Sequence, residues 1–283
     1  MQQVAGSDAA RALPGPPVTA TKVEVRGVTK EFPTKAGAFT AIANVDLEVN
    51  DGELVSLIGP SGCGKSTLLE LIAGLQEPSE GQVTVDGRRV TGPGPERAVV
   101  FQHYALFPWR NVVDNVAFSL ELSGVSKRDR REHAREFLEL VGLEPFADHY
   151  IWQLSGGMRQ RVGLARALCC DPDVLLMDEP FGALDAITRD VLQDHLQKIR
   201  EETRRTIVFV THSVDEALFL SDRIAVMGTK PGRILEVFEL GFDRGRGREV
   251  MRADAEYARL HARIWELLSE EITKSEMNGR HDG

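Results

Sequence analysis

One run of eight residues restricts the folds open to this chain more than any other feature: Gly59, Pro60, Ser61, Gly62, Cys63, Gly64, Lys65, Ser66. It consists of a glycine, four free positions, then glycine, lysine and serine, the spacing of a loop that cradles phosphate. Its flanks suit that geometry. Leu54 to Ile58 reads as a buried strand entering the loop, and Leu68, Leu69, Leu71, Ile72 and Leu75 as the apolar face of a helix leaving it. Glycines let the backbone curl so that successive N–H groups point at one anion, and a helix beginning near Lys65 adds its positive dipole end. In such a loop Lys65 reaches the β- and γ-phosphates of a nucleotide, and the Ser66 hydroxyl ligates magnesium. Cys63 has two readings: a thiol whose thiolate is favoured by the surrounding N–H groups and Lys65, or a small residue that fills the loop.

The 283 residues are 42% hydrophobic, enough for one large core or two unequal lobes. The net charge of −9 argues against a general nucleic-acid surface, so no nucleic acid partner is expected and a polyphosphate must be held by local geometry. The three cysteines, Cys63, Cys169 and Cys170, lack metal-ligand spacing and fit a reducing compartment. No apolar run approaches the ~20 residues a membrane helix needs, and the start has no signal pattern, so any membrane role is expected to be peripheral.

Residues 1–21, rich in Ala, Gly and Pro, read as a disordered tail. Strand signals follow at Lys22 to Val25, Val45 to Val49, Leu54 to Ile58, Gln82 to Val85 and Ala98 to Phe101. From about 103 to 164 the pattern turns helical, with Val116 and Leu120 in one segment and Ala134, Phe137, Leu138 and Val141 in another. Strands return at Val174 to Met177, Thr206 to Val210 and Arg223 to Met227, with helices at Ile187 to Thr203 and Val214 to Leu220. Alternating strands and helices predict a parallel sheet. The domain is expected to run from 22 to 242. Residues 243–283 then form a solvated arginine-rich linker (Arg244, Arg246, Arg248) and an amphipathic helix marked by Tyr257, Leu260, Ile264, Leu267 and Leu268.

A second block, Leu154, Ser155, Gly156, Gly157, Met158, Arg159, Gln160, Arg161, places a capping serine and two glycines before a helix, a second site at which N–H groups can meet an anion. Just after it, the apolar run Val174 to Met177 ends in Asp178 and Glu179, one carboxylate to organise magnesium and one to activate water. With these three blocks the chain resembles the ATP-binding subunits of ABC transporters over about Val23 to Glu239. Gly59 to Ser66 match that family's Walker A motif, Leu154 to Gln160 its signature and Val174 to Asp178 its Walker B.

The resemblance implies an α/β fold, a RecA-like P-loop NTPase core with an antiparallel β subdomain and an inserted helical subdomain. It assigns Gly59 to Ser66 and Thr67 to ATP, and Ser66, Asp178 and Gln102 to Mg2+. Glu179 takes the part of general base, Lys65 and His212 stabilise charge on the phosphoryl group, and Gln102 senses the metal. Ser155, Gly156, Gly157 and Gln160 would close on ATP held by a second copy of the chain, with Asp185 in the loop that crosses to it. Phe32 occupies the place of an aromatic that stacks on adenine, with core packing as the alternative and Phe39 nearby.

Trp109 and Trp152 read either as core aromatics of the helical lobe or as part of a closer likeness. The stretches around them, with Gly92 to Arg97, are similar to the taurine, aliphatic-sulfonate and nitrate importer ATPases, the taurine group most of all. Such a protein is an ATPase at the cytoplasmic face of the inner membrane, working with integral membrane permease subunits and a periplasmic or surface solute-binding protein. The competing class is a non-transport ABC ATPase, a chromosome or DNA-repair clamp or an envelope-signalling scaffold. Clamps insert long coiled coils between the motifs, and the stretch from Gln102 to Leu154 is too short for one.

Overall fold

The computed structural model describes residues 20–35, 37–102, 104–242 and 247–279. Of the expected tail, 1–19 lie outside the described residues, as do Arg244 and Arg246 of the arginine-rich stretch. Thr21 already opens a strand.

Two sheets share the work among the described residues. The first is antiparallel, in the order β2-β1-β4-β5, from β1 (Thr21–Thr34), β2 (Gly37–Asn50), β4 (Glu80–Val85) and β5 (Arg88–Arg89). The second has the order β10-β9-β3-β8-β7-β6. Within it β3 (Leu54–Ile58), β6 (Arg97–Val100), β7 (Val174–Asp178), β8 (Thr206–Thr211) and β9 (Arg223–Gly228) run parallel, and β10 (Arg233–Glu239) closes one edge antiparallel to β9.

Strand side chains alternate between faces, and β3 divides its residues accordingly. Val55 and Leu57 face one core with Val174, Leu176, Val208, Val210 and the inner side of the antiparallel sheet; α1 (Lys65–Ala73) fills the space between the sheets with Leu68, Leu69 and Ile72. Leu54 and Ile58 face the other core, under α6 (Ala186–Thr203), α7 (Val214–Leu220) and the helical lobe. That lobe comprises α2 (Val112–Val116), α3 (Phe118–Leu122), α4 (Lys127–Leu140) and α5 (Gly156–Cys169). Its buried residues include Val116, Ala134, Leu138 and Val141, at the spacing the sequence shows.

Three expectations change. Phe32 pairs with Phe39, Pro33 with Ala38 and Thr34 with Gly37, so β1 and β2 run well past the predicted strands. Neither tryptophan is core, since Trp109 is 72% and Trp152 68% exposed. Arg248 is no solvated linker residue. It opens α8 (Arg248–Arg252), lies 3.6 Å over the Phe219 ring and meets Asp190 at 3.2 Å and Asp194 at 3.0 Å. Beyond it, α9 (Ala255–Gly279) buries Tyr257, Leu260, Ile264 and Leu268, one stripe three or four residues apart, as predicted.

Candidate active site

Parallel strands deliver their carboxyl ends to one edge of a sheet, and here four adjacent ones, β3, β8, β7 and β6, carry the residues the motifs single out. The phosphate loop follows β3. Glu179 follows β7, Gln102 stands two residues after β6, and His212 follows β8.

The loop is shaped by its glycines. Gly62 (φ +78°) and Gly64 (φ +91°) take left-handed conformations that an L side chain resists. Gly59 has a different reason: a Cβ there would stand 2.6 Å from Cys63 Sγ and 2.6 Å from the Met227 carbonyl oxygen. Gly64 caps α1 without any side-chain hydrogen bond, which leaves the first-turn N–H groups for an anion. Lys65 is buried and curled over its own loop, its Nζ donating to Gly59 O at 2.8 Å and Pro60 O at 3.0 Å. Pro60 is half-buried; Ser61, Gly62 and Ser66 are exposed, and Thr67 is half-buried.

The filling role is the one Cys63 takes. Its side chain is fully buried, and burial pushes the thiol up, outweighing the opposing pull of Lys65, whose Nζ stands 3.7 Å from Sγ. A favoured thiolate is not the outcome.

The three strand-end residues meet at one oxygen. Gln102 Nε2 donates to Glu179 Oε2 at 3.2 Å, and His212 Nδ1 stands 3.4 Å from the same atom. Glu179 itself sits at φ +46°, a strained conformation for a non-glycine residue that turns its carboxylate out of the strand. Beside it, Thr211 Oγ1 donates to Glu216 Oε2 at 2.6 Å, and burial raises the Glu216 carboxyl above its ordinary value. Burial first, and then the Asp178 carboxylate, likewise raise Glu70 of α1, so negative charge collects beside Asp178.

The signature block divides. Ser155 caps α5 by accepting from Met158 N at 3.3 Å; it and Gly156 are exposed, and Gly157 is half-buried. Gln160 has a part within the chain that the resemblance does not give it. It is buried, its Nε2 donating to Glu179 O at 3.1 Å and its Oε1 accepting from Ala183 N at 3.2 Å. Both ends of the amide make a bond within the chain, so it braces the backbone of Glu179 and Ala183. Sequence reasoning missed this, because a glutamine one helical turn past a cap carries no mark of which way it points.

Asp185 caps α6, accepting from Thr188 N at 3.0 Å, and that amide holds its carboxyl below the ordinary range. Phe32 is half-buried with Lys30 Nζ 5.0 Å above its ring, while Phe39 is 55% exposed. Both lie on the hairpin whose Ile42 packs against Gly64. Neither ring is fully buried.

Magnesium suits the donors present. Ser66, Gln102 and Asp178 offer a hydroxyl, an amide and one carboxylate, hard oxygen donors of the kind that hold Mg2+ together with waters and phosphates. Among the described residues no cluster of three His, Cys, Asp or Glu forms an all-protein cage.

Comparison with known proteins agrees with this geometry. A family model described as ABC transporter matches residues 42–182. An uncharacterised ABC transporter ATP-binding protein of Methanocaldococcus jannaschii is 49% identical over 254 residues, 90% of this chain and 94% of the relative. A taurine import ATP-binding protein of Burkholderia thailandensis is 47% identical over 248 residues, 86% of this chain and 95% of that protein. Among solved structures, a dimeric bacterial ABC transporter cassette matches with a TM-score of 0.73 at 35% identity, over 78% of this chain and 100% of that one. A dimeric cassette in a post-hydrolysis state bound to ADP and Pi gives the same TM-score at 36% identity and the same coverage. Similar to such proteins over up to 90% of its length, the chain belongs to the ABC transporter ATP-binding family and is an ATPase.

Proposed function

We propose that this ATPase is the motor subunit of an importer for a small anionic or zwitterionic solute, of which taurine, an aliphatic sulfonate and nitrate are the candidates. Two copies pair head-to-tail, and each ATP is held between the phosphate loop of one and Ser155, Gly156 and Gly157 of the other, with Asp185 at the crossing. One observation carries the chemistry: Gln102 and His212 converge on Glu179 Oε2 at the carboxyl ends of adjacent strands.

Glu179 orients the attacking water and takes its proton while the bond to the bridging oxygen of the γ-phosphoryl group breaks. Lys65 and the loop amides stabilise charge on the β- and γ-phosphates, and His212 does so from β8. Bound through Ser66, with Asp178 and Gln102 holding its waters, Mg2+ would neutralise part of the developing charge. Phe32 or Phe39 stacks on the adenine from the hairpin.

The importer reading draws on the relatives named for taurine import and on the helical lobe. There the backbone bridge between Asn111 and Tyr150 joins the segments that carry Trp109 and the stacked pair Tyr150 and Trp152, all three exposed. Exposed large aromatics of this kind are what a docking membrane subunit covers. The longest helix between β6 and α5 among the described residues is the 14-residue α4, which gives a clamp reading no coiled coil to rest on. The test is to purify the tagged chain from detergent-solubilised membranes of its own cell. A permease that co-purifies, and is lost with Trp109→Ala plus Trp152→Ala, supports the reading. A chain that binds no membrane protein and associates with DNA contradicts it.

A further inference from the structure

A glutamate on the buried stripe of an amphipathic helix is an anomaly. Tyr257, Leu260, Ile264 and Leu268 of α9 face the core, and the next position on that stripe is Glu271, only 3% exposed. A buried carboxylate is costly unless every lone pair is used, and this one is used by a turn on another element. Thr229 N donates to Oε2 at 3.1 Å, and Arg233 Nη2 stands 3.2 Å from Oε1 and 3.4 Å from Oε2. Lys274 Nζ adds a bond at 3.3 Å from the helix itself. Burial alone would push the carboxyl up, yet the Thr229 amide, Lys274 and Arg233 together hold it below its ordinary value. Gly228 leaves the space: a Cβ there would stand 2.7 Å from Oε2.

The turn from Thr229 to Arg233 joins β9 to β10, and its far side forms the wall behind the phosphate loop. Arg233 Nη1 closes the turn from within by donating to Thr229 O at 2.9 Å. Gly232 N donates to Ala41 O, and Gly232 O accepts from Ala43 N, both at 2.9 Å. Any Cβ at Gly232 would collide with the Cys63 carbonyl, and the Met227 carbonyl lies against Gly59. The start of the loop and its middle therefore rest on Met227 and Gly232, which flank Thr229, the residue Glu271 holds by its amide. At its other end, α9 is tied by Tyr257, whose hydroxyl donates to Asp215 Oδ1 at 2.6 Å, in the first turn of α7 and three residues after His212. The two ties are 14 residues apart, about 21 Å of helix.

We infer that Glu271 is a positioning residue for ATP binding: acting through Thr229 and Arg233, it fixes the turn against which the phosphate loop is set. The inference rests on that loop being the nucleotide site.

The test compares purified full-length variants in steady-state ATP hydrolysis, thermal unfolding and amide hydrogen exchange. Misplacing a positioning element by ~1 Å costs on the order of 100-fold at the extreme. Glu271→Ala is therefore expected to raise KM for ATP by roughly tenfold or more with kcat nearly kept, and to raise exchange selectively at 59–67 and 229–233. Glu271→Gln keeps an acceptor for Thr229 N and should restore part of the loss. Leu268→Ala removes apolar packing from the same helix face and is the control for stability: it should lower Tm and leave KM unchanged. Two results overturn the inference: Glu271→Ala with a lowered Tm and an unchanged KM, or Leu268→Ala raising KM as much as Glu271→Ala. Lys65→Ala separates the two levels, because a variant that binds ATP like the parent chain would remove the loop assignment itself rather than the role of Glu271.

Discussion

Gly62 and Gly64 stand two residues apart in one loop, both with left-handed backbones, yet replacing each by alanine should have different consequences. At Gly62 the added methyl meets nothing within 4 Å, so the cost is the conformational strain alone, about 1–2 kcal/mol. At Gly64 the same strain is joined by a collision, since the Cβ would stand under 3.0 Å from Ile42 Cγ2 and 3.3 Å from the Ala41 carbonyl. Ile42 is fully buried and β-branched, so its χ1 has little freedom to retreat. Overpacking of this kind adds roughly 1–3 kcal/mol. For a chain of this size each kcal/mol lowers Tm by about 3 °C, which gives roughly 3–6 °C for Gly62→Ala and about 6–15 °C for Gly64→Ala. Calorimetry on the two variants without nucleotide measures both. Nucleotide binding should reverse the emphasis at Gly62, where the methyl lies on the open side of the loop. Equal shifts in Tm, or the larger one at Gly62, would refute the claim that β2 braces the loop through Ile42.

Two further outcomes follow from burial. Maleimide should modify Cys170, the one partly exposed cysteine, well before Cys63, and MgATP should leave the Cys63 rate unchanged because the thiol is already enclosed; rapid labelling of Cys63 in the native protein would contradict the filling role. The Glu216 carboxyl is raised chiefly by burial, against the pull of Thr211, Arg189 and His212 and with a further push from Glu179. A carboxyl raised on folding contributes its full stability below the unfolded value of about 4.3 and loses it as pH rises through the folded value. Glu216→Gln is accordingly expected to gain in Tm relative to the parent chain as pH rises from 5 to 8, by about 4 °C for each tenfold by which folding tightens the carboxyl's hold on its proton, and a gap that narrows with rising pH would refute it.

The phosphate loop, the parallel strands and the amphipathic α9 are legible in the sequence because each repeats a local rule: fixed glycine spacing, continuous apolar runs bounded by turns, a stripe three or four residues apart. What escapes is set by partners far along the chain. β10 interleaves Arg233, Glu236 and Glu239 with Ile234, Leu235 and Val237, and only pairing with β9 makes a strand of so charged a segment. Trp109 and Trp152 have the composition of core residues, and nothing local tells that their side of the lobe is open. Gln160, Arg248 and Glu271 are polar residues on helices, solvent-facing by every local rule. Each is drawn inward by a partner 19 or more residues away: the Glu179 carbonyl for Gln160, Asp194 and Phe219 for Arg248, the Thr229 amide for Glu271.

The central claim is that ATP is held between the phosphate loop of one copy and the signature serine and glycines of another, and hydrolysed with Glu179 as base. Light scattering on Glu179→Gln, which should bind ATP but not consume it, tests this most directly. The account predicts a particle of one chain's mass without nucleotide and of twice that mass with MgATP, reverting to one when Ser155→Arg is added. A Glu179→Gln chain that binds MgATP and stays monomeric, or a dimer indifferent to Ser155→Arg, would contradict it.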